Sequence, residues 1–134
     1  MSHVVALVPD LMDRSKVQAA ARGAGAILSL VAEASALAEA ASEDADLVIV
    51  DLSRPGALDA LPDLARVRTV GFASHVNRAL MQGAQEAGCQ EVLARSAFFR
   101  RLPDLLAGRS SVPPGPDERV AGDFADGENL AAGR

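Results

Sequence analysis

The stretch Asp46-Leu47-Val48-Ile49-Val50-Asp51 decides the fold. Four apolar residues stand in a row between two carboxylates, and Val48, Ile49 and Val50 are β-branched. Such side chains favour an extended backbone. A strand with one wet face alternates apolar and polar residues. An unbroken apolar run has both faces covered, as in a parallel sheet flanked by helices.

Working outward, the same kind of segment recurs and alternates with helical patterns. His3–Val8 reads as a strand ended by Pro9. Within Asp13–Gly23, Val17, Ala20, Ala21 and the following Ala24 fall at helical spacing, and Gly23-Ala-Gly25 ends the segment. Ala26–Val31 reads as a second strand and the Ala- and Glu-rich Glu33–Ala41 as a helix. After Asp51, Ser53-Arg-Pro-Gly56 makes a turn. Ala57–Ala65 is a short helix that Pro62 should make irregular. Val67–Phe72 is a fourth strand. Val76–Ala87 is a helix with Ala79, Leu80, Gly83, Ala84 and Ala87 on one stripe, ended by Gly88. Glu91-Val-Leu is a brief fifth strand. Ala97–Ala107 is a last helix with Phe98, Leu102, Leu105 and Leu106 inward.

Strand and helix thus alternate five times. Parallel strands need crossover helices, and crossovers are right-handed, so the expected class is α/β: a five-stranded parallel sheet, doubly wound and flavodoxin-like, in the order 2-1-3-4-5. Residues 1–108 form the expected domain. Residues 109–134 contain Ser110-Ser-Val-Pro-Pro-Gly-Pro116 and then mostly Asp, Glu, Gly and Ala. Such a segment buries too little apolar surface to offset its ordering entropy, and it reads as a disordered tail.

Composition excludes several functions. At 134 residues there is room for one domain and for no separate output domain. Aromatic residues are 3% of the chain, without Trp or Tyr, which argues against base stacking. The net charge of −5 argues against a nucleic-acid partner, since phosphate contacts need a basic surface. The local cluster Arg95, Arg100 and Arg101 reads as a solvated helix face. The single cysteine, Cys89, forbids an internal disulfide and a Cys-based zinc site, and reads as a packed apolar residue. The start MSHVVALVPD has neither a basic leader nor a membrane span. A cytoplasmic protein with no membrane contact is expected.

In an open parallel sheet, ligands bind beyond the carboxyl ends of the strands, near the switch point between strands 1 and 3. Asp10 follows strand 1, Asp51 ends strand 3, Ala73, Ser74 and His75 follow strand 4, and Arg95 follows strand 5. Asp10 and Asp51 should face each other. Two carboxylates suit Mg²⁺, a carboxylate can attack a phosphoryl group, and Arg95 supplies a neutralising cation. The simpler reading is that Asp51 hydrogen-bonds backbone amides at the strand end. Ser74 and Ser96 read as helix caps, and His75 as an exposed loop residue. Gly23-Ala-Gly25 follows a helix and lacks a third Gly, so it is no dinucleotide fingerprint. No phosphate-binding P-loop is present.

Two segments carry a family likeness. Asp46-Leu-Val-Ile-Val-Asp51-Leu-Ser-Arg-Pro-Gly56 resembles the segment around the phosphoacceptor aspartate of response-regulator receiver domains, and Gly88-Cys-Gln-Glu-Val-Leu-Ala-Arg95 resembles their entry into strand 5. The resemblance spans residues 3 to about 107. It implies Asp51 as phosphoacceptor, Asp10 and Asp51 as the metal pair, and Ala73, Ser74 and Arg95 as the positions contacting a phosphoryl group. This chain departs from the pattern in several places. Pro9 stands where a second acidic residue belongs, Ala73 where a Ser or Thr belongs, Arg95 where Lys belongs, and Ser96 where Pro follows it. Arg and Lys are not equivalent there.

A non-enzymatic signalling or interaction module is therefore expected. It has no catalytic residues and no cofactor, apart from Mg²⁺ if Asp51 is phosphorylated. It acts on a protein partner, a histidine kinase or a regulator, through Phe98, Phe99, Arg100 and Arg101. The alternative is a working single-domain response regulator phosphorylated on Asp51. A small-molecule-binding domain would need a closed apolar pocket at the switch point.

Overall fold

The computed structural model describes residues 2–41, 44–74 and 77–107. In chain order the elements are β1 (His3–Leu7), α1 (Leu11–Ala24), β2 (Ile27–Leu30), a 3₁₀ turn (Ala34–Ala36) running into α2 (Leu37–Ala41), β3 (Leu47–Asp51), α3 (Ala57–Ala60), a second 3₁₀ turn (Leu61–Leu64), β4 (Thr69–Ala73), α4 (Arg78–Glu86), β5 (Glu91–Ala94) and α5 (Arg95–Leu106). The five strands form one parallel sheet in the order β2-β1-β3-β4-β5, as the alternation of segments predicts.

The buried strands divide their side chains between two cores. Val4, Ala6 and Val8 of the first strand segment, with Ile49, Val70 and Phe72, pack under α1 and α5. Val5, Leu7, Val48 and Val50 pack under α2, α3 and α4. This period of two is why β3 must be apolar at every position. The rings of Phe72 and Phe98 stack with centroids 4.5 Å apart, joining β4 to α5.

Helix ends follow capping chemistry. The Asp10 carboxylate accepts the Asp13 amide at 3.0 Å and starts α1; Gly25, at φ 72°, ends it. Asn77, not Ser74, caps α4 by accepting the Leu80 amide. Ser96 is not the cap of α5. Ala94 leads straight from β5 into α5, so Ser96 already lies in the first helical turn. The expected irregularity at Pro62 is found: the helix tightens to a 3₁₀ turn there, with Pro in its first turn. Pro103 lies inside α5, yet the helix continues because Leu102, Leu105 and Leu106 are buried beside it.

No helix among the described residues is long and apolar enough to cross a membrane. Expectations for His75 and for the tail, residues 109–134, fall outside the described residues.

Candidate functional site

The carboxyl ends of β1, β3, β4 and β5 lie side by side. Leu7 pairs with Val50, Asp51 with Phe72, and Ala73 with Ala94. One step beyond the Leu7–Val50 pair stand Val8 and Asp51. Val8 is 1% exposed and its side chain offers no ligand atom, so β1 presents an apolar side chain beside the acid of β3.

Asp51 is half-buried. One carboxylate oxygen accepts the Ser53 amide at 3.0 Å and the Ser53 hydroxyl at 2.6 Å. The Arg54 amide reaches the Asp51 carbonyl at 3.1 Å. Asp51 therefore closes the β3–α3 turn with its own side chain. The simple reading of Asp51 as a strand-end acceptor holds, and its second carboxylate oxygen takes no part in these bonds.

Asp10 is exposed and occupied as the cap of α1. Among the described residues, no group of three or more His, Cys, Asp or Glu side chains is placed to hold a metal. The donor set thus fits a divalent cation poorly: Val8 and Pro9 supply no side-chain oxygen, and one oxygen of Asp10 and one of Asp51 already accept backbone amides.

Arg95 does something that strand-end counting does not foresee. Its Nε donates to Asp13 Oδ2 at 3.3 Å, and its Nη2 donates to Asp13 Oδ1. Asp13 is 3% exposed, a carboxylate buried under α1. The guanidinium also stands 5.3 Å from the ring centroid of Phe99. The cation of strand 5 is held between α1 and α5. A forked arginine–carboxylate pair fixes position as well as charge. Asp13 was legible in principle. With Val17 and Ala21 it occupies one stripe of α1, and a carboxylate on an apolar stripe requires a buried partner.

Ala73 is buried at the end of β4 and Ser74, just beyond it, is exposed. Of the expected partner surface, Phe98 is a correction. It is fully buried against Phe72, because α5 turns that position onto the sheet, and it offers nothing to a partner. Phe99 is half-buried, edge-on to both rings. Arg101 is half-buried and pairs with Glu91 at 3.3 Å, while Arg100 is exposed.

Two grooves lie elsewhere. One of about 610 Å³ runs between the α2 and α3 regions, lined by Glu33, Arg54, Asp59 and Asp63 among others. Another of about 480 Å³ runs between α3 and α4. Both are open and partly polar, unlike the closed apolar pocket a small-molecule domain would need at the switch point.

At the opposite end of the sheet, His3 links three segments. Its Nε2 lies 2.9 Å from Ser29 Oγ and its Nδ1 3.4 Å from Asp44 Oδ1, and the His3 amide donates to Asp46. Ser29 is the third of the four residues of edge strand β2, and this cluster ties β2 and the entry to β3 onto β1.

The sequence matches no family model and no curated protein. Solved structures do match. A response regulator from Hahella chejuensis superposes with a TM-score of 0.69 at 17% identity, covering 84% of this chain and 97% of that one. This chain has the receiver fold. The receiver domain of a sensor histidine kinase from Pseudomonas aeruginosa, solved with a magnesium ion in its active-site cleft, gives a TM-score of 0.66 at 17% identity over 80% of this chain and 98% of that one. The chemotaxis response regulator CheY4 of Vibrio cholerae gives 0.66 at 18% identity over 79% and 96%. On the receiver fold found here, Asp51 stands at the end of the central strand, while the cation of strand 5 is turned away to α1.

Proposed function

We propose that this chain is a receiver-like signalling module that acts by protein–protein contact and not by standard phosphorylation of Asp51. The observation that carries the reading is the pairing of Arg95 with buried Asp13. A phosphoryl group on Asp51 carries up to two negative charges where the carboxylate carried one. Stabilising it needs a cation that can come to it. Arg95 would have to leave a buried carboxylate uncompensated, which is costly. On the β1 side, Val8 and Pro9 offer no side-chain oxygen to a metal, and their carbonyls accept from Arg14. The module is a binding protein, not an enzyme, and a histidine kinase or another regulator is its partner class. The surface left for that partner on the last helix is Phe99 in part, Arg100 and Arg101, without Phe98.

The test is direct phosphorylation. The full chain is incubated with acetyl phosphate and Mg²⁺ and its intact mass is measured. No phosphoryl adduct, and no shift of the melting temperature with Mg²⁺, is the expected result. An adduct present in the wild type and lost in Asp51→Asn overturns the reading and establishes a working single-domain response regulator.

A further inference from the structure

The two faces of the sheet carry opposite charge. Helices α1 and α5, which pack together over one face, hold Arg14, Lys16, Arg22, Arg95, Arg100 and Arg101 against Asp13 and Asp104. On the other face, α2, α3, α4 and the 3₁₀ turns hold Glu39, Asp59, Asp63 and Glu86 against Arg78 alone. The chain as a whole is acidic, so a concentrated basic face is a departure from its average.

This basic face also exposes apolar surface. Met12 is 70% exposed and lies one turn before Lys16 on α1. Lys16 Nζ stands 5.0 Å from the ring centroid of half-buried Phe99 on α5. Arg22 and Arg100 are exposed on the same pair of helices. A cationic surface with an apolar seam suits an acidic segment that carries a few large apolar side chains.

The chain itself contains such a segment. Asp117-Glu-Arg-Val-Ala-Gly-Asp-Phe-Ala-Asp-Gly-Glu128 has five carboxylates and one Arg, with Val120 and Phe124 between them. We propose that residues 117–128 dock on the α1–α5 face of the same molecule. Reach permits it. Residues 108–116 can span about 30 Å when extended, and the 12 residues of α5 run about 18 Å. The segment can therefore return along the whole of α5. A short tether raises the effective concentration to the order of millimolar, so weak screened attraction is enough. A protein partner of this face must then displace the segment. The proposal does not depend on the fate of Asp51.

Lys16 makes the test specific, because it is the chain's single lysine. The full chain is treated with a water-soluble carbodiimide, which joins an amine to a carboxylate in contact, and the monomer band is mapped by peptide mass analysis. The expected product joins Lys16 to a carboxylate within 117–128. Its yield should not vary with protein concentration, and it should fall about threefold or more in roughly 0.5 M salt, where exposed charges are screened. The same fall is expected in the Arg22→Gln/Arg100→Gln variant, with an unchanged circular dichroism spectrum showing that the fold is kept. Absence of any Lys16 link to 117–128 overturns the proposal. So does a link found only in dimers, which places the segment on a second copy, and so does a yield indifferent to salt and to the arginine substitutions, which marks chance encounter. The phosphorylation assay above reads a different property and can fail alone.

Discussion

Asp13 and Arg95 define the site at the level of single residues. Asp13 is buried, whereas the Arg95 side chain is 47% exposed, so solvent screens part of the attraction. Removing Arg95 strands a carboxylate in an apolar interior. Arg95→Met is expected to cost about 1–3 kcal/mol, below the range for fully buried pairs. Asp13→Leu combined with Arg95→Met removes both charges and should recover most of that loss. Urea denaturation of the single and double variants measures the coupling. A double variant no more stable than Arg95→Met would show that the pair is not the source of the cost.

Among the elements, β4 is where close packing is most demanding. Gly71 faces Leu52, and a Cβ at position 71 would lie 2.7 Å from Leu52 Cδ2. Leu52 is 1% exposed and packed in the core under α2, α3 and α4, so it has little room to yield. Gly71→Ala should therefore destabilise by about 1–3 kcal/mol through overpacking. Shortening the neighbour tests the cause. Leu52→Ala should cost less in the Gly71→Ala background than in the wild type, as read from denaturation midpoints. Equal costs in both backgrounds would point to backbone effects instead. Helix α5 shows a related balance. Pro103 argues for a break in sequence, but four buried residues (Phe98, Leu102, Leu105 and Leu106) hold the helix to the sheet across it.

For the whole molecule, Cys89 couples the core to pH. Its thiol donates to the Glu91 carbonyl at 3.2 Å and is buried between β4 and β5. Burial pushes its pKa above the ordinary 9.0, against the lowering effect of its backbone hydrogen bonds. Above that pH the unfolded chain releases the thiol proton while the folded chain keeps it. The unfolded state then binds fewer protons, so stability falls as pH rises, by at most about 1.4 kcal/mol per pH unit for one group. Cys89→Ala should have a shallower fall in alkaline solution than the wild type, measured as melting temperature against pH. Identical slopes would exclude the thiol as the cause.

The sequence by itself determined the sheet. The run Leu47–Val50, the β-α alternation and the turn residues fixed five parallel strands and their order, because backbone hydrogen bonding and the period of side-chain burial act locally and crossovers have one hand. It also marked Asp51 at the end of the central strand. The last two helices each moved at their start by two residues: α4 begins at Arg78 behind the cap Asn77, and α5 begins directly at Arg95 without a side-chain cap. What only the tertiary structure decided is where the charges go. Arg95 follows strand 5 in sequence and was expected to face Asp51. It reaches instead across 82 positions of chain to Asp13, since a carboxylate buried on the core stripe of α1 holds a cation more strongly than the half-buried Asp51, whose turn Ser53 already closes. Phe98 was legible as an inward residue of the last helix; what the assembled sheet adds is that its neighbour Phe99, whose ring centroid lies 4.8 Å from that of Phe98, stays half-buried at the edge of the same core. Pairing of charges and division of burial are set by distances through space, and those exist only once the strands have assembled.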